Sequence, residues 1–302
     1  MYKKIAVLII FSYIDSIDRS KLHSVAIDLY HSYHYALNNN YDDIIVITDI
    51  INDMQLDFVR PSITLGVVNS SILSIIEKIK TNNHYYYYKH KKDMIEKINR
   101  FVNDKNRIYV YYSGHSSNNN IKLPKKKEMY TFDGECTGSD RYIYSGNEFT
   151  ENIVKSANDK AEIFMVMDCC QISNMKIPYK HDGIYKLGTD INFMKPKIIC
   201  FTSTSLEENA MIYTHGSIFS RYLFKLLNKI CLTKENIDTK YYSLFYLKKY
   251  INKNCTRVYN QTSNLYVSYP NIKKLWDWII KTNNSMKIEI DYLTKSIKLN
   301  RV

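Results

Sequence analysis

The 302-residue chain has little glycine and proline, with 8 and 5 residues respectively, and only two tryptophans. This scarcity excludes collagen-like and linker-dominated architectures. No apolar run is long enough to span a membrane as a helix, and no CxxC pair predicts a thiolate zinc site. Hydrophobic residues make up 45% of the chain, so it can bury a large core. We therefore expect a folded α/β protein without a membrane partner.

Cysteine is also too sparse for a disulfide framework in a chain of this length. The six cysteines are Cys136, Cys169, Cys170, Cys200, Cys231 and Cys255. Their spacing predicts reduced thiols and hence a cytoplasmic protein.

Positive charge dominates, because 42 Lys and Arg stand against 30 Asp and Glu and give a net charge of +12. That charge makes nucleic-acid binding one hypothesis. It rests on charge alone, since the chain has no helix-turn-helix, zinc or stacking motif and its lysines are spread along its length. We therefore expect no nucleic-acid partner, and salt-dependent retention on DNA would test this.

Apolar runs rich in β-branched residues alternate with helical patterns. The predicted strands are Lys4–Tyr13, Ile44–Ile47, Arg107–Tyr112, Ala161–Met167 and Ile198–Thr202. The predicted helices are Leu22–Leu37, Ser70–Lys80, Asn147–Lys155 and Ser217–Asn228. The Tyr-rich stretch Thr81–Lys92 is expected to be a loop or insertion. Continuous apolar strands separated by helices predict a mostly parallel central sheet with helices on both faces.

The N-terminus allows two interpretations. Met1–Lys4 followed by Ile5–Phe11 resembles the charged and apolar regions of a secretory signal. The apolar run is short and no small-x-small cleavage site follows it, so a buried first strand is favoured.

Two predicted strands end in reactive side chains. Ser113-Gly114-His115-Ser116 follows the third strand, and Asp168-Cys169-Cys170 follows the fourth. Parallel strands deliver such residues to one edge of a sheet, where functional groups collect. A thiol becomes a useful nucleophile when an imidazole accepts its proton, so the pattern points to cysteine-based catalysis.

These segments resemble the catalytic motifs of metacaspases and caspases. Val110–His115 is similar to the family's strand ending in Tyr-Ser-Gly-His-Gly, and Val166–Cys170 is similar to its Asp-x-Cys-His-Ser-Gly motif. The resemblance covers most of the chain and implies a caspase-like fold in a single domain, 1–302. Within it we expect a large-subunit-like region at 1–170, a linker at 171–197 and a small-subunit-like region at 198–302.

The resemblance implies a cysteine endopeptidase. Cys170 would be the nucleophile and His115 its general acid and base, and backbone N–H groups of Ser116 and Cys170 would hold the oxyanion. On strand alternation Cys169 points away from Cys170, and it is assigned a structural role. No cofactor is required for this chemistry. Calcium activation is left open, because the acidic run of metacaspases corresponds only to the thin segment 140–148.

The resemblance also implies a specificity for the residue on the acyl side of the cleaved bond, called P1. Asp28, Ser113 and Asp168 match the metacaspase pocket that accepts Lys or Arg. The arginines that bind aspartate in true caspases are not found near Leu22 or in Ser205–Ile212. An unpaired buried aspartate would be costly, so protein or peptide substrates with basic P1 are expected.

Departures from the motifs support an alternative. Ser116 stands where the family has Gly, and Gln171-Ile172-Ser173 replaces His-Ser-Gly. A left-handed backbone conformation would be strained at Ser116 or at β-branched Ile172. The alternative is a catalytically inactive caspase-like decoy or a protein-binding regulator of cell death. The oligomeric state is left as a monomer or a caspase-like dimer.

The segment 171–197 also has two interpretations. It holds several lysines, so an enzyme that prefers basic P1 residues would be able to cut it and separate the two subunit-like regions. Equally, the lysines are typical of a solvated loop, and exposed loops are cleaved readily whatever their sequence.

Overall fold

The structure is a computed structural model. It describes residues 3–13, 21–22, 24–50, 77–78, 80–81, 84–103, 105–124, 143–172, 175–180, 185–186, 195–213, 216–232, 244–268, 286–291 and 296–301.

Strands and helices alternate through most of this part of the chain. The strands are β1 (Lys4–Ile10), β2 (Asp43–Thr48), β3 (Tyr85–Tyr87), β4 (Arg107–Ser113), β5 (Ser116–Ser117), β6 (Asn120–Lys122), β7 (Ile143–Ser145), β8 (Glu162–Asp168), β9 (Tyr179–Lys180), β10 (Tyr185–Lys186), β11 (Lys197–Thr202), β12 (Ile212–Tyr213), β13 (Gly216–Ser217), β14 (Asn264–Val267), β15 (Met286–Asp291) and β16 (Ser296–Arg301). The helices are α1 (Val25–Asn38), α2 (Lys91–Val102), α3 (Gly146–Ser156), α4 (Ile218–Leu232) and α5 (Leu244–Tyr259).

Nine strands form one central sheet in the spatial order β10-β9-β14-β11-β8-β4-β1-β2-β3. The six from β3 to β11 run parallel to one another, and β14, β9 and β10 continue the sheet in antiparallel pairs. The predicted α/β fold with a mostly parallel central sheet is confirmed. The N-terminal apolar run forms β1 between β2 and β4, as the strand interpretation predicts.

The predicted helices on both faces are confirmed as well. Side chains of β1 alternate between two apolar cores: Leu8 contributes to the core under α1, α4 and α5, and Val7 to the core under α2 and α3. This alternation follows from the two-residue period of a strand and buries both faces of the sheet. None of the helices in the described ranges is long and apolar enough to cross a membrane.

Some sequence predictions were wrong. The stretch Thr81–Lys92 is not a loop throughout, because Tyr85–Tyr87 pairs with β2 at the edge of the sheet and α2 begins at Lys91. Most of the predicted helix Ser70–Lys80 lies outside the described residues. The predicted linker contributes β9 and β10 to the central sheet, so its described part includes paired strands. The division into subunit-like regions stays a prediction.

Candidate active site

The register between β4 and β8 brings the two motif segments together. The strands are parallel, and Ser113 and Asp168 form their last aligned pair. His115 and Cys170 each lie two residues beyond that pair. The contact continues past the strand ends, because the Gly114 N–H donates to the Asp168 carbonyl at 3.4 Å and the Ser116 hydroxyl donates to the Cys170 carbonyl. Both predicted catalytic residues therefore lie on neighbouring turns at the carboxyl edge of the sheet.

The two adjacent thiols differ in accessibility. Cys170 is partly exposed, and its Sγ accepts a hydrogen bond from the Ala210 N–H at 3.3 Å. Cys169 is only 1% exposed, and its backbone N–H and carbonyl are both bonded to the hydroxyl of Ser203. Burial raises the pKa of both thiols, and that of Cys169 well above its usual range. Of these two thiols, Cys170 is the one that a substrate can reach.

The turn after Cys170 is built without the family's glycine. Gln171 takes the left-handed conformation, with φ of 49°, whereas Ser116 and Ile172 do not adopt positive φ. The Gln171 N–H donates to the Glu208 carbonyl at 3.0 Å, and the Gln171 carbonyl accepts from Asn119 at 2.8 Å. The strain considered at Ser116 or Ile172 therefore does not arise, because the left-handed conformation falls on Gln171, an unbranched residue whose N–H and carbonyl are both bonded.

A loop after β11 supports Cys170 from the other side. Gln261 accepts from the Met211 N–H at 3.1 Å and donates to the Ser203 carbonyl at 3.0 Å. The Glu208 carboxylate accepts from the Thr262 N–H at 2.7 Å. These bonds fix both ends of the loop that carries Ala210. Sequence reasoning did not assign roles to Glu208 or Gln261, since their contacts are tertiary.

The predicted oxyanion donors lie in this same region. In the described part of the chain the Cys170 N–H makes no hydrogen bond, while the preceding and following N–H groups are bonded to Ser203 and Glu208. Ser116 lies in β5, beside Cys170. No hydrogen bond within the described residues therefore competes for the Cys170 N–H.

His115 lies against two buried tyrosines. The backbone N–H of His115 donates to the Tyr13 hydroxyl at 2.9 Å, and the backbone carbonyl of His115 accepts from the Tyr112 hydroxyl at 2.9 Å. The rings of Tyr13 and His115 lie 4.6 Å apart between centroids. Gly114 makes room for this arrangement, because a Cβ there would stand 2.6 Å from the Tyr112 oxygen and 2.8 Å from the Tyr13 oxygen.

The three predicted pocket residues form one buried cluster on the face of α1 and α4. The Ser113 hydroxyl donates to Asp28 Oδ2 at 3.1 Å. The Ser217 N–H donates to Asp28 Oδ1 at 2.9 Å, and the Ser220 hydroxyl donates to Asp168 Oδ2. Asp28 and Asp168 are 0% and 3% exposed. Ser217 and Ser220, which sequence reasoning missed, complete the cluster from β13 and the start of α4.

The described cluster holds one carboxyl oxygen and one hydroxyl that lack a well-formed hydrogen bond. Within the described residues, neither Asp168 Oδ1 nor the Ser217 hydroxyl makes a hydrogen bond of normal geometry. Burial, and then repulsion from Asp168, raises the pKa of Asp28 well above its usual range, and burial raises the pKa of Asp168. Two neighbouring buried carboxyl groups favour a cation or a shared proton.

Gly216 shapes the wall of this cluster. Its φ is +87°, a conformation that side chains rarely adopt, and a Cβ there would stand 2.5 Å from Asp28 Oδ1. Glycine at this position therefore lets the backbone of β13 approach the carboxylate and donate the Ser217 N–H to it.

Metal ligation has no candidate in the described ranges, where no group of three or more His, Cys, Asp or Glu side chains could hold an ion. Asp140, at the start of the segment considered for calcium, lies outside the described residues. Calcium activation therefore stays untested.

Neither a protein-family model nor a curated protein sequence matches the chain. Similar solved structures include protein GSU0716 from Geobacter sulfurreducens, with 12% identity, a TM-score of 0.49, and 88% of this chain and 93% of that chain covered. Another is caspase-1 from Spodoptera frugiperda, with 8% identity, a TM-score of 0.47, and 88% and 86% covered.

Proposed function

We propose that this chain is a cysteine endopeptidase in which Cys170 is the nucleophile and His115 the general acid and base. The observation that carries the proposal is the β4–β8 register, which sets these two residues on adjacent turns beside the buried Asp28–Asp168 cluster. A partly exposed thiol and an imidazole at one sheet edge are what acyl transfer to sulfur requires, and the acid cluster beside them would bind the substrate side chain.

The chemistry starts from a protonated thiol, because burial raises the pKa of Cys170. His115 therefore takes the proton as the sulfur attacks the peptide carbonyl, while the Cys170 N–H binds the oxyanion. His115 then gives the proton to the leaving amine as the C–N bond breaks, which leaves a thioester. Water attacks the thioester, His115 accepts its proton and returns it to the departing sulfur, and the acid product is released.

The acid cluster supports a preference for Lys or Arg at P1. A cationic side chain would offset the negative charge of Asp28 and Asp168, and Asp168 Oδ1, which makes no hydrogen bond of normal geometry in the described structure, would be one acceptor for it. An aspartate at P1 would add a third buried carboxyl group. The two buried carboxyl groups thus favour a basic residue over an acidic one.

A second candidate function is an inactive caspase-like decoy that binds a peptide without cutting it. The raised pKa of Cys170 favours it, because catalytic cysteines are usually activated by a lowered pKa. In this reading the acid cluster still captures a basic side chain, but the thiol stays protonated. The two functions share a ligand and differ in turnover.

The experiment compares fluorogenic peptides that carry Arg, Lys or Asp at P1 and are otherwise identical. Wild type, Cys170→Ala, His115→Ala and the matched control Cys169→Ala are assayed, with calcium and with chelator. We expect cleavage after Arg and Lys that is lost in Cys170→Ala and His115→Ala and kept in Cys169→Ala. If folded wild-type protein binds the Arg peptide but does not cleave it, the protease proposal is contradicted and the decoy function is supported.

A further inference from the structure

The segment just after β1 holds an unusual backbone beside His115. Tyr13 is fully buried, and its φ of 56° lies in the left-handed region. That conformation is unfavourable for a bulky aromatic residue and persists only where the surroundings impose it. Such strain commonly marks a site where position matters, which raises the question of what Tyr13 positions.

Asp49, which directly follows β2, imposes this conformation. Its Oδ1 accepts from the Ser12 N–H at 2.6 Å and from the Ser12 hydroxyl at 3.0 Å, and its Oδ2 accepts from the Tyr13 N–H at 2.6 Å. Asp49 is 5% exposed, so these bonds are formed away from water. One carboxylate therefore binds two successive N–H groups and holds the turn in its strained form.

The side chain of Tyr13 contacts both the backbone and the ring of His115. Its oxygen accepts from the His115 N–H at 2.9 Å and donates to the Lys122 carbonyl at 2.5 Å. Its ring packs against the imidazole, with 4.6 Å between centroids. Tyr112 contacts both residues, because its hydroxyl lies 3.1 Å from that of Tyr13 and donates to the His115 carbonyl.

We propose that Tyr13 is a positioning residue that holds the His115 imidazole in register with Cys170, and that Asp49 holds Tyr13. The proposal rests on the proposed function for its catalytic meaning, but the positioning itself is a property of the free chain. Tyr13 itself neither takes up nor gives a proton in the proposed reaction. It acts through both the backbone and the ring of His115.

The test replaces Tyr13 with Phe, which keeps the ring and removes the oxygen. Tyr109→Phe is the matched control, because Tyr109 is also a fully buried tyrosine and its hydroxyl has no hydrogen-bond partner in the described structure. One measurement is the pH profile of Cys170 alkylation by iodoacetamide, with the site identified by peptide mass. The other is the imidazole nitrogen signals of His115 by NMR.

We expect Tyr13→Phe to slow alkylation near neutral pH toward the rate of His115→Ala and to lower kcat about tenfold or more, with KM little changed. Tyr109→Phe should match wild type in every measurement. A wild-type pH profile and unchanged His115 signals in folded Tyr13→Phe would overturn the proposal. Tyr112→Phe provides the same readouts if Tyr13→Phe does not fold.

Failure of the proposed function looks different. If alkylation of wild-type Cys170 does not depend on His115, the catalytic pair is wrong, but the NMR signals still decide whether Tyr13 positions His115. A shift or broadening of those signals in Tyr13→Phe but not in Tyr109→Phe supports the positioning. Identical signals in both variants overturn it.

Discussion

Asp49 and Asp168 are two buried acids that lie at the edge of the sheet where its parallel strands end. They differ in how their oxygens are hydrogen-bonded. Asp49 gives its oxygens to three donors from Ser12 and Tyr13. Asp168 has one oxygen bonded to Ser220, while its Oδ1 makes no hydrogen bond of normal geometry in the described structure, and a second acid, Asp28, raises the electrostatic cost of its charge. The comparison separates a carboxyl group whose oxygens are both bonded to the chain from one that is only partly bonded and lies beside a second acid.

The largest expected effect is on substrate specificity, and it should arise at Asp168. Asp168→Asn should lower kcat/KM for Arg peptides by about 100- to 1000-fold, because a bound guanidinium would lose a buried partner. The thermal stability of the variant without substrate should not fall, since the repulsion on Asp28 is removed. Peptide kinetics and thermal unfolding measure the two effects. Undiminished selectivity for Arg over a neutral P1 residue would show that the cluster is not the pocket.

The next effect is on the pH dependence of stability, and it should arise at Asp49. Burial raises the pKa of Asp49 to about 6 from an ordinary value of 3.8, so ionisation of Asp49 weakens the fold as pH rises through this range. The difference in unfolding free energy between wild type and Asp49→Asn should therefore shift by roughly 3 kcal/mol between pH 3 and pH 7, with wild type relatively more stable at low pH. Denaturant unfolding at several pH values measures it. A difference independent of pH would mean that Asp49 titrates normally.

A smaller effect tests the wall of the Asp28–Asp168 cluster. Gly216→Ala places a Cβ against Asp28 at positive φ, so we expect a loss of about 1–2 kcal/mol in unfolding free energy and a higher KM for Arg peptides. Urea unfolding and peptide kinetics measure these. Unchanged values for both would show that β13 can retreat from the carboxylate.

The smallest effect concerns a buried polar atom outside both sites. Tyr109→Phe removes a hydroxyl that has no hydrogen-bond partner among the described residues. We expect stability unchanged or slightly raised, within about 0.5 kcal/mol, and unchanged kinetics. A large loss of stability by denaturant unfolding would reveal a hidden partner for that oxygen.

The central strands could be predicted because each is a continuous apolar run, as in Ala161–Met167, where a parallel sheet buries both faces. The strand Tyr85–Tyr87 and the helices α2 and α5 were missed. The strand is hidden in a polar tyrosine-rich stretch, and in both helices lysine and asparagine interrupt the apolar residues.

Some residues of the candidate site could be predicted from the sequence, and others could not. His115 and Cys170 could be placed because each follows an apolar strand in a recognisable motif. Tyr13 could not, because its role arises from a left-handed turn and a bond to Asp49, 36 residues away, that no local pattern encodes. The sequence placed Tyr13 at the end of the predicted strand Lys4–Tyr13 and offered no further signal.

The most direct test of the account is covalent labelling with a peptide chloromethyl ketone that carries Arg at P1, beside its Asp counterpart. Peptide mass mapping identifies the modified residue in wild type, His115→Ala and Asp168→Asn. The account predicts rapid modification of Cys170 by the Arg probe, little by the Asp probe, and a large loss of rate in both variants. Modification that falls on Cys169, or that proceeds equally with both probes, would contradict it.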